Sequence, residues 1–196
     1  MPRIGRVIYD NAVYHILNRG HDRRRLFQEA EDFKSFKDMI ARYKQKFQFD
    51  LYHYCFMSNH FHLLLKIAKG EELSFLMKGI CQTYAFHYKR KHHFSGYLFQ
   101  NRYKSILIEK DEYLMECGRY IERNPARAGI VDNPEKYYWS SYNFYAKTIP
   151  DDIITPDPLY IALSVIDAER RAKYIEYVST DRPYEQLLDE KLSELK

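Results

Sequence analysis

The feature that most constrains this sequence is a pair of short apolar segments joined by a tight connection. Residues 49–56 and residues 60–67 are rich in apolar and aromatic side chains, and only Met57-Ser58-Asn59 separates them. Two such segments with a short connection predict an antiparallel β-hairpin. The hairpin indicates that the fold is built on an antiparallel sheet.

The second strand of this hairpin begins with two histidines, His60 and His62, on either side of Phe61. Residues two apart in a strand project from the same face, so the imidazoles stand side by side while Phe61 turns toward the core. Two parallel imidazoles on a rigid strand are a suitable half-site for a divalent cation. Strand histidines also bond to backbone or water, and two ligands do not complete a metal site.

Four further segments flank the hairpin and complete a recognisable order. Ala12–Arg19 alternates apolar and polar residues and predicts a strand, as does 103–109. Residues 28–47 and 71–91 carry apolar residues at helical spacing. The order β-α-β-β-α-β predicts an α+β, ferredoxin-like fold with a four-stranded antiparallel sheet and both helices on one face. The histidine pair then belongs to the other face.

A third helix is predicted to begin after Asp111, a good N-cap, and to run until Pro125 disrupts it. Tyr120 and Asn124 lie on one stripe of this helix, which brings them to the histidine pair if the helix crosses the free sheet face. The Asn124 carbonyl oxygen is a suitable ligand for Mg²⁺ or Mn²⁺. Two other interpretations stay open: Tyr120 is a packing residue, and Asn124 caps the turn at Pro125.

Charge is distributed unevenly along the chain, whose net charge is +4. Residues 150–196 hold 11 acidic and 6 basic side chains, whereas residues 1–149 hold 25 basic and 16 acidic ones. No acidic residue occurs between Leu73 and Ile108. A basic body with interleaved aromatics is typical of nucleic-acid binding, and a solvated basic face is the alternative.

The cysteines and the apolar segments indicate a compartment. Three cysteines, Cys55, Cys81 and Cys117, are widely spaced and form no CxxC pair, which favours a reducing environment over a disulfide framework. No signal peptide is visible, and no apolar run approaches the roughly 20 residues of a membrane span. We therefore expect a soluble, cytoplasmic protein without a membrane partner.

Two parts of the chain differ in composition. Residues 1–145 hold the predicted sheet and three helices, and we expect them to form one domain. Residues 146–196 begin with a segment rich in proline and aspartate and continue with helical patterns near 159–166, 168–178 and 184–195. We expect this part to be an acidic helical appendage.

Five phrases of the sequence together resemble the REP-associated tyrosine transposases, which are single-tyrosine HUH transposases related to insertion-sequence enzymes. The resemblance covers roughly residues 3–145. The phrases are YHILNRG (Tyr14–Gly20), CFMSNHFHLLL (Cys55–Leu65), GYLFQNRYKS (Gly96–Ser105), RYIERNPARAG (Arg119–Gly129) and WSSY (Trp139–Tyr142). In two places the chain departs from many relatives, which have proline at the position of Ser58 and often glutamine at that of Asn124.

The resemblance implies roles for individual residues. His60 and His62 match the HUH motif that binds a divalent metal, Mg²⁺ or Mn²⁺, and Asn124 falls at the third metal ligand. Tyr120 matches the nucleophile on the third helix. DNA contacts are expected from seven basic residues, with Tyr97 and Phe99 as candidates for stacking on unpaired bases. The seven are Arg19, Arg23, Lys89, Arg90, Arg102, Lys104 and Arg127.

The implied activity is nicking and joining of single-stranded DNA at hairpin-forming sequences through a 5′-phosphotyrosine, without a small-molecule cofactor. The alternative is a domesticated DNA-hairpin-binding protein that has lost strand transfer. A generic RNA-binding sheet would need exposed aromatics where this chain has histidines, and a metal-dependent hydrolase would not need Tyr120. The sequence leaves open whether the protein is a monomer or a homodimer.

Overall fold

A single antiparallel sheet of four strands organises the computed structural model, which describes residues 8–180. Its strand order is β2-β3-β1-β4, and each neighbouring pair is antiparallel. The predicted hairpin is β2 and β3, and the predicted α+β, ferredoxin-like sheet is confirmed. The strands are β1 (Ala12–Arg19), β2 (Phe49–Met57), β3 (His60–Ile67) and β4 (Lys104–Ile108).

Six α-helices are present among the described residues. The first two are amphipathic crossover helices, and α1 is shorter at both ends than the predicted segment 28–47. A capping box between Glu29 and Asp32 fixes its start. No described helix is long and apolar enough to cross a membrane. The helices are α1 (Ala30–Lys44), α2 (Glu72–Lys91), α3 (Asp111–Arg127), α4 (Tyr142–Lys147), α5 (Pro158–Ala162) and α6 (Asp167–Ser179).

The two faces of the sheet have different partners because side chains alternate along each strand. Ile16, Phe61 and Leu63 are buried in the larger core, which α1 and α2 cover. Cys55 and Leu64 project from the opposite face into a smaller core with residues of α3. Both crossover helices therefore lie on one face, as predicted, and α3 covers the other.

The third helix differs from its prediction at both ends. Its N-cap is Lys110, and Asp111 is already its first residue. The helix also continues through Pro125 for another two residues. Proline removes the N–H that would bond the carbonyl of Ile121. The Nδ2 of Asn124 lies 3.5 Å from the Ile121 oxygen and 2.8 Å from the Tyr120 oxygen. The side chain thus partly replaces the backbone hydrogen bond that proline removes.

A glycine allows α3 to approach the sheet closely. Gly118 is buried beside the ring of His53 on β2, and a Cβ at this position would lie 2.7 Å from His53 Nε2. Both ring nitrogens of His53 are hydrogen-bonded, which prevents the ring from moving aside without breaking a bond. The lack of a side chain at Gly118 thus sets the height of α3 above β2.

Replacing Gly118 with alanine should destabilise the protein although alanine favours helices. The added methyl group overpacks a buried contact, and such changes cost about 1–3 kcal/mol. Urea unfolding measures the effect. Gly129→Ala is the comparison variant, because nothing lies within 4 Å of the Cβ that it adds. Any loss of stability in that variant comes from the positive φ of Gly129 and not from packing. Wild-type stability in the Gly118→Ala variant would contradict the close approach.

The segment after residue 145 packs against α3. Arg119 is buried and donates from Nε to the Tyr177 carbonyl at 3.2 Å, and Arg123 donates to the Val178 carbonyl at 2.9 Å. Cations at the C-terminal carbonyls of a helix are favourable because of its dipole. The predicted helices near 159–166 and 168–178 correspond to α5 and α6, and the one near 184–195 lies outside the described residues. The helix α3 is thus held between the sheet and α6.

Candidate active site

The predicted histidine pair lies on the sheet face that α3 covers. In the strand register His60 is opposite Arg19 and His62 is opposite Leu17, so all four side chains share that face. The centroids of the two imidazole rings are 5.1 Å apart. The strand geometry therefore brings the two rings together as the sequence predicts.

Each of these two rings uses its Nδ1 for a hydrogen bond. His60 Nδ1 lies 2.6 Å from Asn59 Oδ1, and His62 Nδ1 lies 2.9 Å from Nε2 of a third histidine, His15. Nε2 of each ring is then the atom suited to bind a cation. Metal-binding histidines characteristically hold their second nitrogen in such a bond.

Tyr120 on α3 meets the histidines within the same chain. Its ring centroid lies 6.0 Å from that of His62 and 6.1 Å from that of His15. The Tyr120 side chain is only 4% exposed, and the guanidinium of Arg127 lies 4.9 Å from its ring centroid. Helix and strand thus place a phenol beside two imidazoles without a second subunit.

Asn124 lies one helical turn after Tyr120 and lines the same cleft. Its Nδ2 donates to the Tyr120 carbonyl at 2.8 Å, and its Oδ1 takes no part in this bond. Two imidazole nitrogens and an amide oxygen fit a divalent cation. The structure brings together all four residues that the sequence singled out for catalysis and metal binding.

Burial sets the protonation state of the histidines. Burial and then the nearby charge of Arg19 lower the pKa of His60 to about 4. Burial, followed by the neighbouring His60, His15 and Arg127, lowers the pKa of His62 well below its ordinary value. Burial lowers the pKa of His15 to about 3. The imidazoles are therefore neutral near pH 7, which is the form that binds metals.

A cleft of about 610 Å³ opens beside these residues and is rich in cations. No acidic side chain lines it among the described residues. Arg19 donates from Nε to Gln100 Oε1, which joins β1 to the loop before β4. The predicted basic residues that line the cleft are Arg19, Arg23, Arg102 and Lys104.

The other predicted DNA-binding residues lie elsewhere. Arg127 is exposed at the end of α3, beside Tyr120. Lys89 and Arg90 belong to α2, which packs on the opposite face of the sheet, and Arg90 lines a separate hollow with Arg42 of α1. Tyr97 is 82% exposed, which suits stacking, whereas Phe99 is half-buried against the core.

Comparison with known proteins identifies the family. The family model described as "Transposase IS200 like" matches residues 8–124. The chain belongs to the IS200-like transposase family. A solved structure of a REP-associated tyrosine transposase bound to a REP hairpin superposes on this chain with a TM-score of 0.64. The two sequences are 15% identical, and the match covers 80% of this chain and 93% of the other. This likeness supports the fold.

A second solved structure is less similar to this IS200-like transposase. It is a candidate transposase from Deinococcus radiodurans R1, with a TM-score of 0.42 at 19% identity, covering 62% of this chain and 97% of that one. The comparison with curated proteins gave no significant match.

Another group of ligand-type side chains in this transposase lies away from the cleft. The group consists of Glu29, Asp32 and His92. The ammonium of Lys91 already lies 2.7 Å from Glu29 and 3.0 Å from Asp32, and His92 Nε2 is 3.1 Å from Asp32. A lysine thus supplies the positive charge that these carboxylates need. The cluster joins the start of α1 to the end of α2.

A buried polar network that sequence reasoning missed joins α3 to the sheet and the C-terminal segment. His53 on β2 bonds through Nδ1 to Glu122 at 2.9 Å and through Nε2 to Asp157 at 3.1 Å, and all three are fully buried. Ser141 and Tyr174 also donate to the Glu122 carboxylate, at 2.6 and 2.5 Å. The sequence signal that could have indicated this network is Glu122, an acidic residue two positions after Tyr120 in a helix that is expected to pack on the sheet.

The same network predicts a pH dependence of stability. Burial alone would lower the pKa of His53, but Glu122 and Asp157 raise it from 6.5 to about 9. The folded state keeps a proton that the unfolded state loses above its own pKa. This contribution to the free energy of unfolding is therefore complete below pH 6.5 and is lost as the pH rises to about 9.

Urea unfolding across that pH range should show that the free energy of unfolding falls by an amount on the order of 3 kcal/mol, because each unit of pKa difference is worth about 1.4 kcal/mol. A His53→Asn variant should lack this slope. A free energy of unfolding that stays constant in the wild-type protein over this range would contradict the charge assignment.

Proposed function

We propose that this protein nicks single-stranded DNA at hairpin-forming sequences and transfers the strand through a 5′-phosphotyrosine on Tyr120. The observation that carries this proposal is the contact of Tyr120 with His62, whose ring lies beside that of His60, in a cleft lined by cationic side chains. The hairpin substrate is suggested by the similar REP-associated transposase, whose structure holds a REP hairpin.

A divalent metal, Mg²⁺ or Mn²⁺, would be held by His60, His62 and Asn124. When bound, it would polarise the scissile phosphate as a Lewis acid. The two histidines are neutral and oriented through their Nδ1 atoms, so each offers Nε2 without first losing a proton. The Asn124 oxygen adds a hard ligand.

Tyr120 supplies the nucleophile in this proposal. Its Oη bonds to phosphorus and loses its proton, the bond from phosphorus to the 3′ oxygen breaks, and that oxygen gains a proton. The free phenol has a pKa near 10, so the reaction needs help with deprotonation. The guanidinium of Arg127 lies 4.9 Å from the centre of the ring, within cation–π range of this phenol. One phosphodiester is exchanged for another, and the strand can be rejoined without ATP.

The cationic cleft would hold the DNA backbone. Changing Arg102 and Lys104 to alanine should weaken binding of single-stranded hairpin DNA and lower the slope of log affinity against log salt by roughly 2. Fluorescence anisotropy at several salt concentrations measures both quantities. Alanine at Lys34, an exposed lysine of α1 paired with Asp38, is the matched control. Equal slopes in the double variant and the control would contradict the assignment.

Adduct formation tests the proposed function against its alternative. Labelled hairpin DNA is incubated with the protein and Mn²⁺ or Mg²⁺, and the products are separated under denaturing conditions. We expect a protein–DNA adduct with metal and none with a chelator. Tight binding without an adduct would favour the alternative, a domesticated hairpin-binding protein.

Three further proposals, on domains, oligomeric state and location, accompany this function. Residues 1–145 would form the catalytic domain and 146–196 an appendage, whose described part packs on α3. A monomer would suffice, because one chain supplies Tyr120 and both histidines. The cytoplasm would be the site of action.

A further inference from the structure

His15 is a buried polar residue for which the fold alone gives no reason. It lies on β1 opposite Leu64 of β3 and Ile106 of β4, and it is 0% exposed. Among the described residues its Nδ1 has no hydrogen-bond partner. Leaving a buried polar atom unsatisfied costs about 1–3 kcal/mol. An aliphatic residue would fit this position better if packing were its only role.

The one hydrogen bond that the His15 side chain makes among the described residues joins it to His62 of the proposed metal site. His15 Nε2 lies 2.9 Å from His62 Nδ1, and the two rings stack with centroids 5.1 Å apart and planes 26° apart. Rotation of the His62 ring would break this bond. We propose that His15 is a positioning residue that fixes the orientation of the His62 ring and determines which ring nitrogen of His62 carries the proton. This inference rests on the proposed metal site.

The chemistry of two neutral imidazoles fixes the direction of this bond. His62 can bind a cation through Nε2 only if its proton is on Nδ1, which then donates to His15 Nε2. His15 in turn carries its proton on Nδ1. The reverse arrangement, with His15 as the donor, would place the His62 proton on Nε2 and block the cation.

The other histidine has an equivalent partner. His60 Nδ1 faces Asn59 Oδ1, an oxygen that can only accept, so the proton of His60 is held on Nδ1 and Nε2 is left for a cation. Each proposed histidine ligand therefore has its own orienting residue, one from the turn and one from β1. Loss of such an outer partner typically weakens metal binding 10–100-fold.

Mn²⁺ affinity of the full chain without DNA tests the inference, with free Mn²⁺ followed by electron paramagnetic resonance. His15→Phe keeps a flat ring of similar size but cannot accept a hydrogen bond, and we expect its Kd to rise about 10–100-fold. His93→Phe, at an exposed position, is the matched control and should bind like the wild type. Circular dichroism checks that both variants are folded.

A measurement on the wild-type protein covers the case in which His15→Phe does not fold. Nitrogen–proton correlation spectra of the metal-free protein should show the protons of His15 and His62 on Nδ1. A His62 proton on Nε2, or a His15→Phe variant that binds Mn²⁺ within twofold of the wild type, would overturn the role of His15 alone. A wild-type protein that binds no Mn²⁺ would overturn the metal site and this inference with it.

Discussion

Replacing Tyr120 with phenylalanine should abolish the protein–DNA adduct, with a loss of roughly 10³-fold or more. The change removes only the hydroxyl group of a side chain that is 4% exposed, so the aromatic packing against His15 and His62 is retained. Hairpin affinity and Mn²⁺ affinity should stay near their wild-type values. The loss would therefore fall on the chemical step.

A second tyrosine on the same helix provides the control. Tyr113 lies two turns before Tyr120 and is half-buried. A Tyr113→Phe variant removes the same atom from α3 and should form the adduct at the wild-type rate. An adduct that persists in Tyr120→Phe, or one that disappears equally in both variants, would contradict the assignment of the nucleophile.

Replacing Glu122 with alanine should cost about 3–5 kcal/mol of stability, the range expected when one partner of a buried ion pair is removed. The carboxylate accepts bonds from His53, Ser141 and Tyr174, which come from three separate parts of the chain. Its removal takes the acceptor of the buried Tyr174 hydroxyl, leaves the Ser141 hydroxyl with only the Tyr54 carbonyl at 3.3 Å, and removes one of two anions beside His53. Chemical unfolding followed by circular dichroism measures the loss.

An exposed glutamate sets the scale for this prediction. Glu135 lies 3.5 Å from Lys147 and both side chains are nearly half exposed, so Glu135→Ala should cost less than about 1 kcal/mol. Because Glu122 is two residues from Tyr120, its loss should also slow adduct formation under conditions in which the variant is still folded. Equal stability of the two variants would contradict the role of the buried network.

The elements whose side-chain pattern is local could be predicted from the sequence. Alternation along Ala12–Arg19 and the apolar run in His60–Ile67 predicted the strand bounds that the structure shows. The two-residue period of a strand placed His60 and His62 on one face of the sheet, and the period of a helix placed Tyr120 and Asn124 on one side of the third helix. These positions follow from the periods of strand and helix alone.

The contacts that depend on tertiary register could not be predicted. The bond between His15 and His62 requires the pairing of Leu17 with His62, which local patterns do not determine. Glu122 and His53 are 69 residues apart, and their contact depends on the height of α3 over the sheet. The passage of α3 through Pro125 was missed because the compensating bonds come from a side chain.

The most direct test of the account is to identify the residue that carries the DNA in a trapped adduct. The adduct formed with Mn²⁺ on labelled hairpin DNA is digested with nuclease and protease, and the modified peptide is sequenced by mass spectrometry. We predict a nucleotide joined through its 5′ phosphate to Tyr120. Attachment to another residue, or cleaved DNA with a free 5′ phosphate and no adduct, would contradict it.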